Sequence, residues 1–282
     1  MSIDLHTHST VSDGTQIPAE LLRHAAAAGV DTLALTDHDT TAGWTAAIDA
    51  LPVGMTFLPG AEISCQYSSE GSRPVVMHLL AYGFDADDVA LANRLSVVRE
   101  DRLRRAERIV ELMTADGIPI TWAQVKRLAA GGTVGRPHIA RALVESGAVG
   151  SVDAAFAGPI SSASPYYRTK ADIPVLEAIE LVTQAGGVSV FAHPLRRGRH
   201  VPLSGIVAMR DAGLRGIEVD HPDHDATARA RLAVIAHDLG LVPTGSSDYH
   251  GTNKSTPIAA FTTTRAAFEA LVEPVQDQLV RG

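Results

Sequence analysis

The stretch Ile3-Asp4-Leu5-His6-Thr7-His8-Ser9 decides how the rest of the chain is read. It has the form of a short apolar strand that ends in alternating polar residues. Side chains two apart leave the same face of a strand, so both imidazoles can converge on one point. Ser12-Asp13-Gly14-Thr15 follows at once and adds a carboxylate in a turn. A lone histidine is ordinarily a core or surface residue, and His-x-His by itself is a weak motif. It gains force here because the chain repeats the construction of strand, polar residue, helix.

Working outward, residues 15–28 have helix signals, with Pro18 in the first turn and Gly29 as the stop. A buried strand over 31–35 ends in Thr36-Asp37-His38-Asp39, and a short helix runs through Trp44 and Ile48. Residues 56–60 lead into Ala61-Glu62-Ile63-Ser64, and a strand over 75–77 delivers His78. After a helix over 174–185, a strand over 188–192 ends in His193-Pro194, and one over 216–219 ends in Asp220-His221-Pro222-Asp223-His224. A helix over 226–239 precedes Leu241-Val242-Pro243-Thr244, which runs into Gly245-Ser246-Ser247-Asp248-Tyr249-His250. A last helix covers 265–271.

Between these halves the pattern changes. Residues 90–116 read as one long amphipathic helix, in which Arg94, Arg99, Arg102, Arg104, Arg105 and Arg108 alternate with acids as a solvated flank. Thr121-Trp122-Ala123-Gln124 has the form of a capping box, and Gly135-Arg136-Pro137-His138 opens a further helix. No strand pattern appears between about 93 and 160. The expected division is therefore a main domain of residues 1–92 and 171–282, carrying an all-helical insertion at 93–170.

His6, His8, His38, Glu62, His78, His193, Asp248 and His250 all lie at the C-terminal ends of expected strands, with Asp13 in the loop after the first. A barrel of parallel strands gathers such positions at one rim. The helical His24 and His237 break the pattern and read as structural. Six imidazoles and three carboxylates exceed what one ion of four to six ligands needs, so they suit two or three. Mixed N/O ligation without thiolate fits Mn²⁺, Zn²⁺ or Fe²⁺ without choosing among them. Such a cluster can activate water and neutralise phosphoryl oxygens, which favours phosphoester hydrolysis over deamination or amide hydrolysis.

Bulk properties narrow the class. A chain of 282 residues, 45% hydrophobic and 20% charged, suits one large soluble α/β enzyme. Lys plus Arg is 24 against 32 Asp plus Glu, a net charge of −8, so no basic stripe is expected to wrap duplex DNA. The single Cys65 excludes an intramolecular disulfide and suits a reducing compartment. With no apolar run long enough to span a bilayer and no signal-peptide pattern, the expectation is a cytoplasmic protein. Neither GxxxxGK[ST] nor a GxGxxG opening is present, which argues against an NTPase or a dinucleotide enzyme.

Taken together, Asp4-Leu5-His6-Thr7-His8, Ser12-Asp13-Gly14, Thr36-Asp37-His38-Asp39, Gly60-Ala61-Glu62-Ile63-Ser64, His78, Ala192-His193-Pro194 and Gly245-Ser246-Ser247-Asp248-Tyr249-His250 resemble the PHP (polymerase and histidinol phosphatase) metal-dependent phosphoesterases. The resemblance spans Ile3 to about His250. It implies an α/β fold, a distorted (β/α)7 barrel with the helical insertion. The insertion resembles the branch acting on nucleotides, which holds nucleoside 3′,5′-bisphosphate and 5′-monophosphate phosphatases and a 5′-to-3′ exoribonuclease active on short RNA. One metal would be held by His6, His8, Glu62 and Asp248. Glu62 would bridge to a second, held by His78 and His193, and Asp13, His38 and His250 would hold a third.

By the same resemblance Arg136 and His138 match an Arg-x-His substrate element, at a helix start suited to anions. The branch often has a Lys before Pro-x-Tyr, where this chain has Ser164-Pro165-Tyr166-Tyr167, with Arg168 and Lys170 just beyond. Arg197 is a further candidate clamp, and His224 a candidate proton donor to the leaving oxygen. The implied reaction is hydrolysis of a nucleotide phosphomonoester by a metal-bridging hydroxide, with Asp248, Arg136 and His224 as the catalytic set. The rival readings are a 5′-to-3′ exonuclease on short RNA, a histidinol phosphatase and a non-catalytic metal-binding module. The last would be marked by missing ligands, and none of the nine is missing.

Overall fold

Seven strands form a nearly closed barrel in the computed structural model, which describes residues 2–69, 71, 73–195 and 200–282. Strand β1 (Ile3–Asp4) pairs in parallel with β2 (Thr32–Leu35), and β2 with β3 (Thr56–Tyr67). β3 is antiparallel to β4 (Val75–Tyr82), which is antiparallel to β6 (Val188–Ala192). β6, β7 (Gly216–Asp220) and β8 (Val242–Gly245) then run in parallel. Past β8 the circle meets β1 again, where His8 N donates to Tyr249 O at 2.9 Å and Thr263 N to Ile3 O at 2.9 Å. Two short strands, β5 (Ile173–Pro174) and β9 (Val280–Arg281), lie against β3.

The direction of β4 corrects the all-parallel expectation. His78 sits in the first half of this strand, not at its end, and reaches the rim because β4 runs the other way. Glu62 likewise lies within β3, which changes partner at Gly60: it is parallel to β2 through Pro59 and antiparallel to β4 from Gly60 onward. A Cβ at Gly60 would come within 2.9 Å of the Tyr82 ring and 3.0 Å of the Ala81 carbonyl, so only glycine permits the close crossing.

The barrel is sealed by apolar side chains from both ends of the chain. Ile3, Leu5, Leu58, Leu80 and Val190 pack with Phe268 and Leu271 of the C-terminal helix Arg265–Val272. Helices α1 (Pro18–Ala27) and α2 (Trp44–Asp49) cover β2, while Val175–Gln184, Leu203–Asp211 and Ala226–Leu239 cover the other strands. Cys65 is enclosed in that outer core, and burial pushes its thiol well up, so it is inert.

Among the described residues no strand occurs between Tyr82 and Ile173. Helix α3 (Val89–Ala115) is 27 residues long and serves two cores. Leu91, Leu95 and Val98 join the barrel side, whereas Ala106, Ile109, Val110 and Met113 pack with Val125 of α4 (Trp122–Ala129), Ile139 and Leu143 of α5 (Arg136–Glu145) and Ala155 of α6 (Val152–Ala157). The capping box at α4 is present: Gln124 N donates to Thr121 Oγ1 at 3.3 Å and Thr121 N to Gln124 Oε1 at 2.8 Å.

The arginines of α3 are not a uniform solvated flank, which corrects that expectation. Arg104 and Arg108 are exposed and pair with Asp101 and Glu111. Arg102 and Arg105 are buried. Leu95, Val98, Arg102, Arg105 and Ile109 recur at three and four residues, so both arginines sit on the apolar stripe itself.

Candidate metal centre

Strand ends and the loops after them bring all nine expected ligands into one cluster. His6 Nε2 lies 3.3 Å from Glu62 Oε2 and 3.5 Å from Asp248 Oδ1, and His8 Nε2 lies 3.2 and 3.6 Å from the same two oxygens. Glu62 divides its oxygens. Oε2 faces His6, His8 and His38, whereas Oε1 faces His78 Nδ1 at 2.6 Å and His193 Nε2 at 2.9 Å. Asp13 faces His38 Nε2 at 3.6 Å and His250 Nε2 at 3.3 Å. Four groups recruit nothing but these residues: His6 with His8 and Asp248; His6 with Glu62 and His193; His38 with Glu62 and His78; and His8 with Asp13, His38 and His250. In each, donor atoms lie within 4.8 Å of one another.

The donor chemistry fits divalent ions. His6 Nε2, His8 Nε2 and His38 Nδ1 are enclosed and make no hydrogen bond. They stand near carboxylates without pointing at them, as ligands sharing a common centre do. A buried ring nitrogen with no partner is costly, and a bound cation removes that cost.

A second layer fixes the rings. Glu218 Oε1 takes the proton of His6 Nδ1 at 3.1 Å and is also bonded by Ser246 Oγ, while Oε2 accepts from His193 N at 2.7 Å. This turns His6 Nε2 inward, the nitrogen that offers a lone pair once its proton is displaced. His250 Nδ1 donates to the Asp248 carbonyl at 2.8 Å, which leaves its Nε2 for the Asp13 side. Asp37 accepts from Ser9 N at 2.8 Å, Ser9 Oγ at 2.6 Å and Ser12 Oγ at 2.6 Å, shaping the turn that carries Asp13. A Cβ on Gly14 in that turn would collide with the His8 carbonyl. Asp4 accepts from Ser247 N at 3.1 Å and Ser247 Oγ at 2.5 Å, tying β1 to the Asp248 loop. Asp39, His193 and Asp248 have φ of 56°, 32° and 49°, strained values that cluster where the surroundings over-determine the backbone.

Charge is balanced inside the cluster. Burial opposes ionisation of Glu62, Asp13 and Asp248, yet the facing histidines, and Lys254 for Asp248, hold all three well below the usual carboxylate range. Burial likewise disfavours the His8 imidazolium, but Asp248, Glu62 and Asp13 raise it to about 9. His6 is raised in the same way, against burial, by Glu218, Glu62 and Asp248. His38 and His250 go down, chiefly through burial.

Several participants escaped the sequence reading. Glu218 was visible only as an acid in an apolar strand. His221, which the sequence offers only as part of the Asp220–His224 stretch, is buried. Its Nδ1 accepts from Asp223 N at 3.0 Å, so its Nε2–H faces Asp248 Oδ2 at 3.3 Å. Lys254 pairs with the same oxygen.

The expected substrate contacts fare unevenly. Arg136, at the start of α5, lies over the Phe156 and Tyr167 rings at 5.6 and 5.7 Å and donates to Ile160 O at 3.2 Å. His138 is buried, with Nδ1 accepting from Gly135 N at 3.1 Å and the ring also bonded to the Ser12 backbone. Arg168 donates to Pro165 O and Tyr167 O of its own loop, and Ser164 Oγ to Pro159 O. Arg197 lies outside the described residues. His224 is buried, and its Nδ1–H donates to Val219 O at 2.9 Å. Its Nε2 is therefore an unbonded lone pair, and burial keeps the ring neutral. That tautomer offers a proton acceptor, not the donor expected from the sequence.

Comparison with known proteins agrees with this geometry. The profile of the PHP domain matches residues 4–114. A 3′,5′-nucleoside bisphosphate phosphatase of Chromobacterium violaceum is 35% identical over 258 residues, covering 88% of this chain and 87% of the relative. A 5′-3′ exoribonuclease of Haemophilus influenzae is 36% identical, covering 88% and 89%. The crystal structure of a candidate metal-dependent phosphoesterase from Bifidobacterium adolescentis is 36% identical, with a TM-score of 0.89 over 96% of both chains. No helix among the described residues is long and apolar enough to cross a membrane. The chain belongs to the PHP-domain family of metal-dependent phosphoesterases.

Proposed function

We propose that the chain hydrolyses nucleotide phosphomonoesters, with nucleoside 5′-monophosphates or 3′,5′-bisphosphates as the substrate class. The observation that carries this reading is the convergence of nine imidazoles and carboxylates, several with unbonded inward nitrogens, on the two oxygens of Glu62 and their neighbours. His6, His8, Glu62 and Asp248 would hold one ion, Glu62 with His78 and His193 a second, and Asp13, His38 and His250 a third. Bound divalent ions would supply Lewis acidity and an activated water at neutral pH. The relatives, a bisphosphate phosphatase and an exoribonuclease, support a nucleotide substrate.

The protein's own groups do the rest. Glu218 holds His6 with its ligating nitrogen inward. His221 donates to Asp248 and keeps that carboxylate oriented. Arg136 binds the anionic substrate from the first turn of α5, where backbone N–H groups also point outward. His224 Nε2 accepts a proton from water at the centre. The helical segment 93–170 is the proposed specificity unit, with its start inside α3.

The test is release of phosphate from nucleotides, and of mononucleotides from RNA, by chain loaded with manganese, iron or zinc. Substrates are a nucleoside 5′-monophosphate, a 3′,5′-bisphosphate and a 5′-phosphorylated short RNA. Release from a mononucleotide is expected. Preference for the RNA would favour the exonuclease reading, which relatives of nearly equal identity keep in view. No release with any metal would end both.

A further inference from the structure

The residue after His38 is gripped by β3 and α3 together. Asp39 is fully buried and has a left-handed backbone, with φ 56°. Its N–H donates to Glu62 O at 3.0 Å, and His38 and Glu62 stand as parallel bridge partners. Oδ1 of its carboxylate accepts from Ser64 N at 2.6 Å, and Oδ2 accepts from Ser64 Oγ at 2.9 Å and Arg102 Nε at 2.6 Å. Arg102 Nη2 also donates to Ser64 Oγ at 2.6 Å, and Arg99 Nη1 donates to the Asp39 carbonyl at 2.7 Å.

Both arginines come from one face of α3, three residues apart. A left-handed backbone at a residue with a Cβ persists only where its surroundings over-determine it, and here carbonyl and carboxylate are each pinned. Arg102 is buried on a stripe that Leu95, Val98 and Ile109 otherwise fill with carbon. A buried ion pair is seldom more stabilising than apolar residues of similar volume, so packing alone does not call for an arginine there. What an apolar side chain cannot do is hold a carboxylate and a hydroxyl in fixed register with a planar fork of donors.

The two gripped residues adjoin the metal centre. His38 faces Glu62 Oε2 with Nδ1 at 3.1 Å and Asp13 Oδ2 with Nε2 at 3.6 Å. Ser64 lies two residues beyond Glu62, on the same face of β3, and opposite His78 in the β3–β4 register. The grip stands where α3 passes from the barrel core at Val98 to the insertion core at Ala106.

We propose that Arg102, backed by Arg99, is a positioning residue of the metal centre. Through Asp39 and Ser64 it fixes the separation of His38 from Glu62, and with it the affinity for the ions those two residues hold. This rests on the metal-centre reading and adds α3, a helix shared with the insertion, to the parts that set metal affinity.

The test compares wild type with Arg102→Met, Arg102→Lys and Arg104→Met, the last an exposed position on the same helix. Chelator-treated protein is titrated with manganese and with zinc well below every Tm, where all variants are folded and a change in stability alone leaves affinity unchanged. Arg102→Met is expected to lose about 10–100-fold in metal affinity, and Arg104→Met nothing. Arg102→Lys should retain part of the affinity, because a point charge reaches one acceptor but does not span both. The Tm should drop in Arg102→Met, which leaves Asp39 buried without its cation, and change little in Arg102→Lys. In the chelated protein the ring resonances of His38 should move in Arg102→Met, while those of the exposed His237 stay in place.

Wild-type metal affinity in Arg102→Met, at whatever Tm, or an equal loss in Arg104→Met would overturn the proposal and leave Arg102 a structural ion pair. Should Arg102→Met fail to fold, Arg102→Lys decides: reduced affinity at a near-wild-type Tm supports positioning, and wild-type affinity overturns it. If wild type itself takes up no metal, the parent reading fails. The His38 resonances then judge the grip, and unmoved resonances end it.

Discussion

The barrel rim and the shoulder beside it, where α3 meets α5, treat buried charge in opposite ways. At the rim, His6, His8 and His38 face Glu62, Asp248 and Asp13 within 3.6 Å. Beside it, Arg105 has Arg102 and Arg136 for neighbours, and Asp101, the acid that acts on it, is bonded to Ala171 N and faces Arg104. The difference teaches how each region carries its charge. A ring of acids and ring nitrogens is satisfied by cations, whereas Arg105 keeps a buried Nε without a partner among the described residues.

The largest effect that could break the comparison concerns Asp248. Asp248→Asn removes the charge that faces His6, His8, His221 and Lys254. Turnover should fall roughly 10³-fold or more, with less metal per chain by elemental analysis. Wild-type turnover in this variant would remove Asp248 from the metal set. Next comes Glu218→Gln, which touches no substrate but loses the carboxylate behind His6. Changes at this layer cost about 10–100-fold in metal affinity or activity, and a metal titration that matched wild type would show that His6 needs no such support.

A pH experiment sharpens the rim further. With no ion bound, His8 is raised to about 9 and His6 is raised in the same direction. Both hold protons that a metal must displace. Metal binding should therefore release protons, and affinity should climb with pH until about 9 and then level off. The gain in Tm from metal should grow from the ordinary histidine value of 6.5 toward 9. Affinity flat across that interval would contradict the facing of His8 toward Glu62 and Asp248. The smallest effect belongs to the insertion. Thr121→Ala removes one half of the α4 capping box and should cost about 1 kcal/mol by denaturant unfolding, with no change in metal affinity. A lowered metal affinity would mean that the two regions are coupled.

Most of the nine clustered positions were legible because they are announced locally, by a strand that stops at a histidine or an acid, whereas Glu62 lies within β3 and His78 in the first half of β4. The helices of the insertion were legible too, since apolar spacing and the Thr121–Gln124 box are short-range signals. The orienting layer was not. Glu218 acts on His6 from 212 residues away, and Asp4 on Ser247 from 243, so nothing near either residue marks its partner. His224 was expected as a proton donor, but its ring donates from Nδ1 to the Val219 carbonyl, a backbone group without a sequence signature.

By itself the sequence determined the kinds of donor, their spacing and the order of strands and helices, all of which depend on neighbours within a few residues. Only the tertiary structure decided that β4 runs against its neighbours and carries His78 to the rim from its first half. It also decided that Arg102 finds Asp39 while the Nε of Arg105 finds no partner among the described residues. Strand direction and the pairing of buried charges depend on which distant segments share a space, and packing alone settles that.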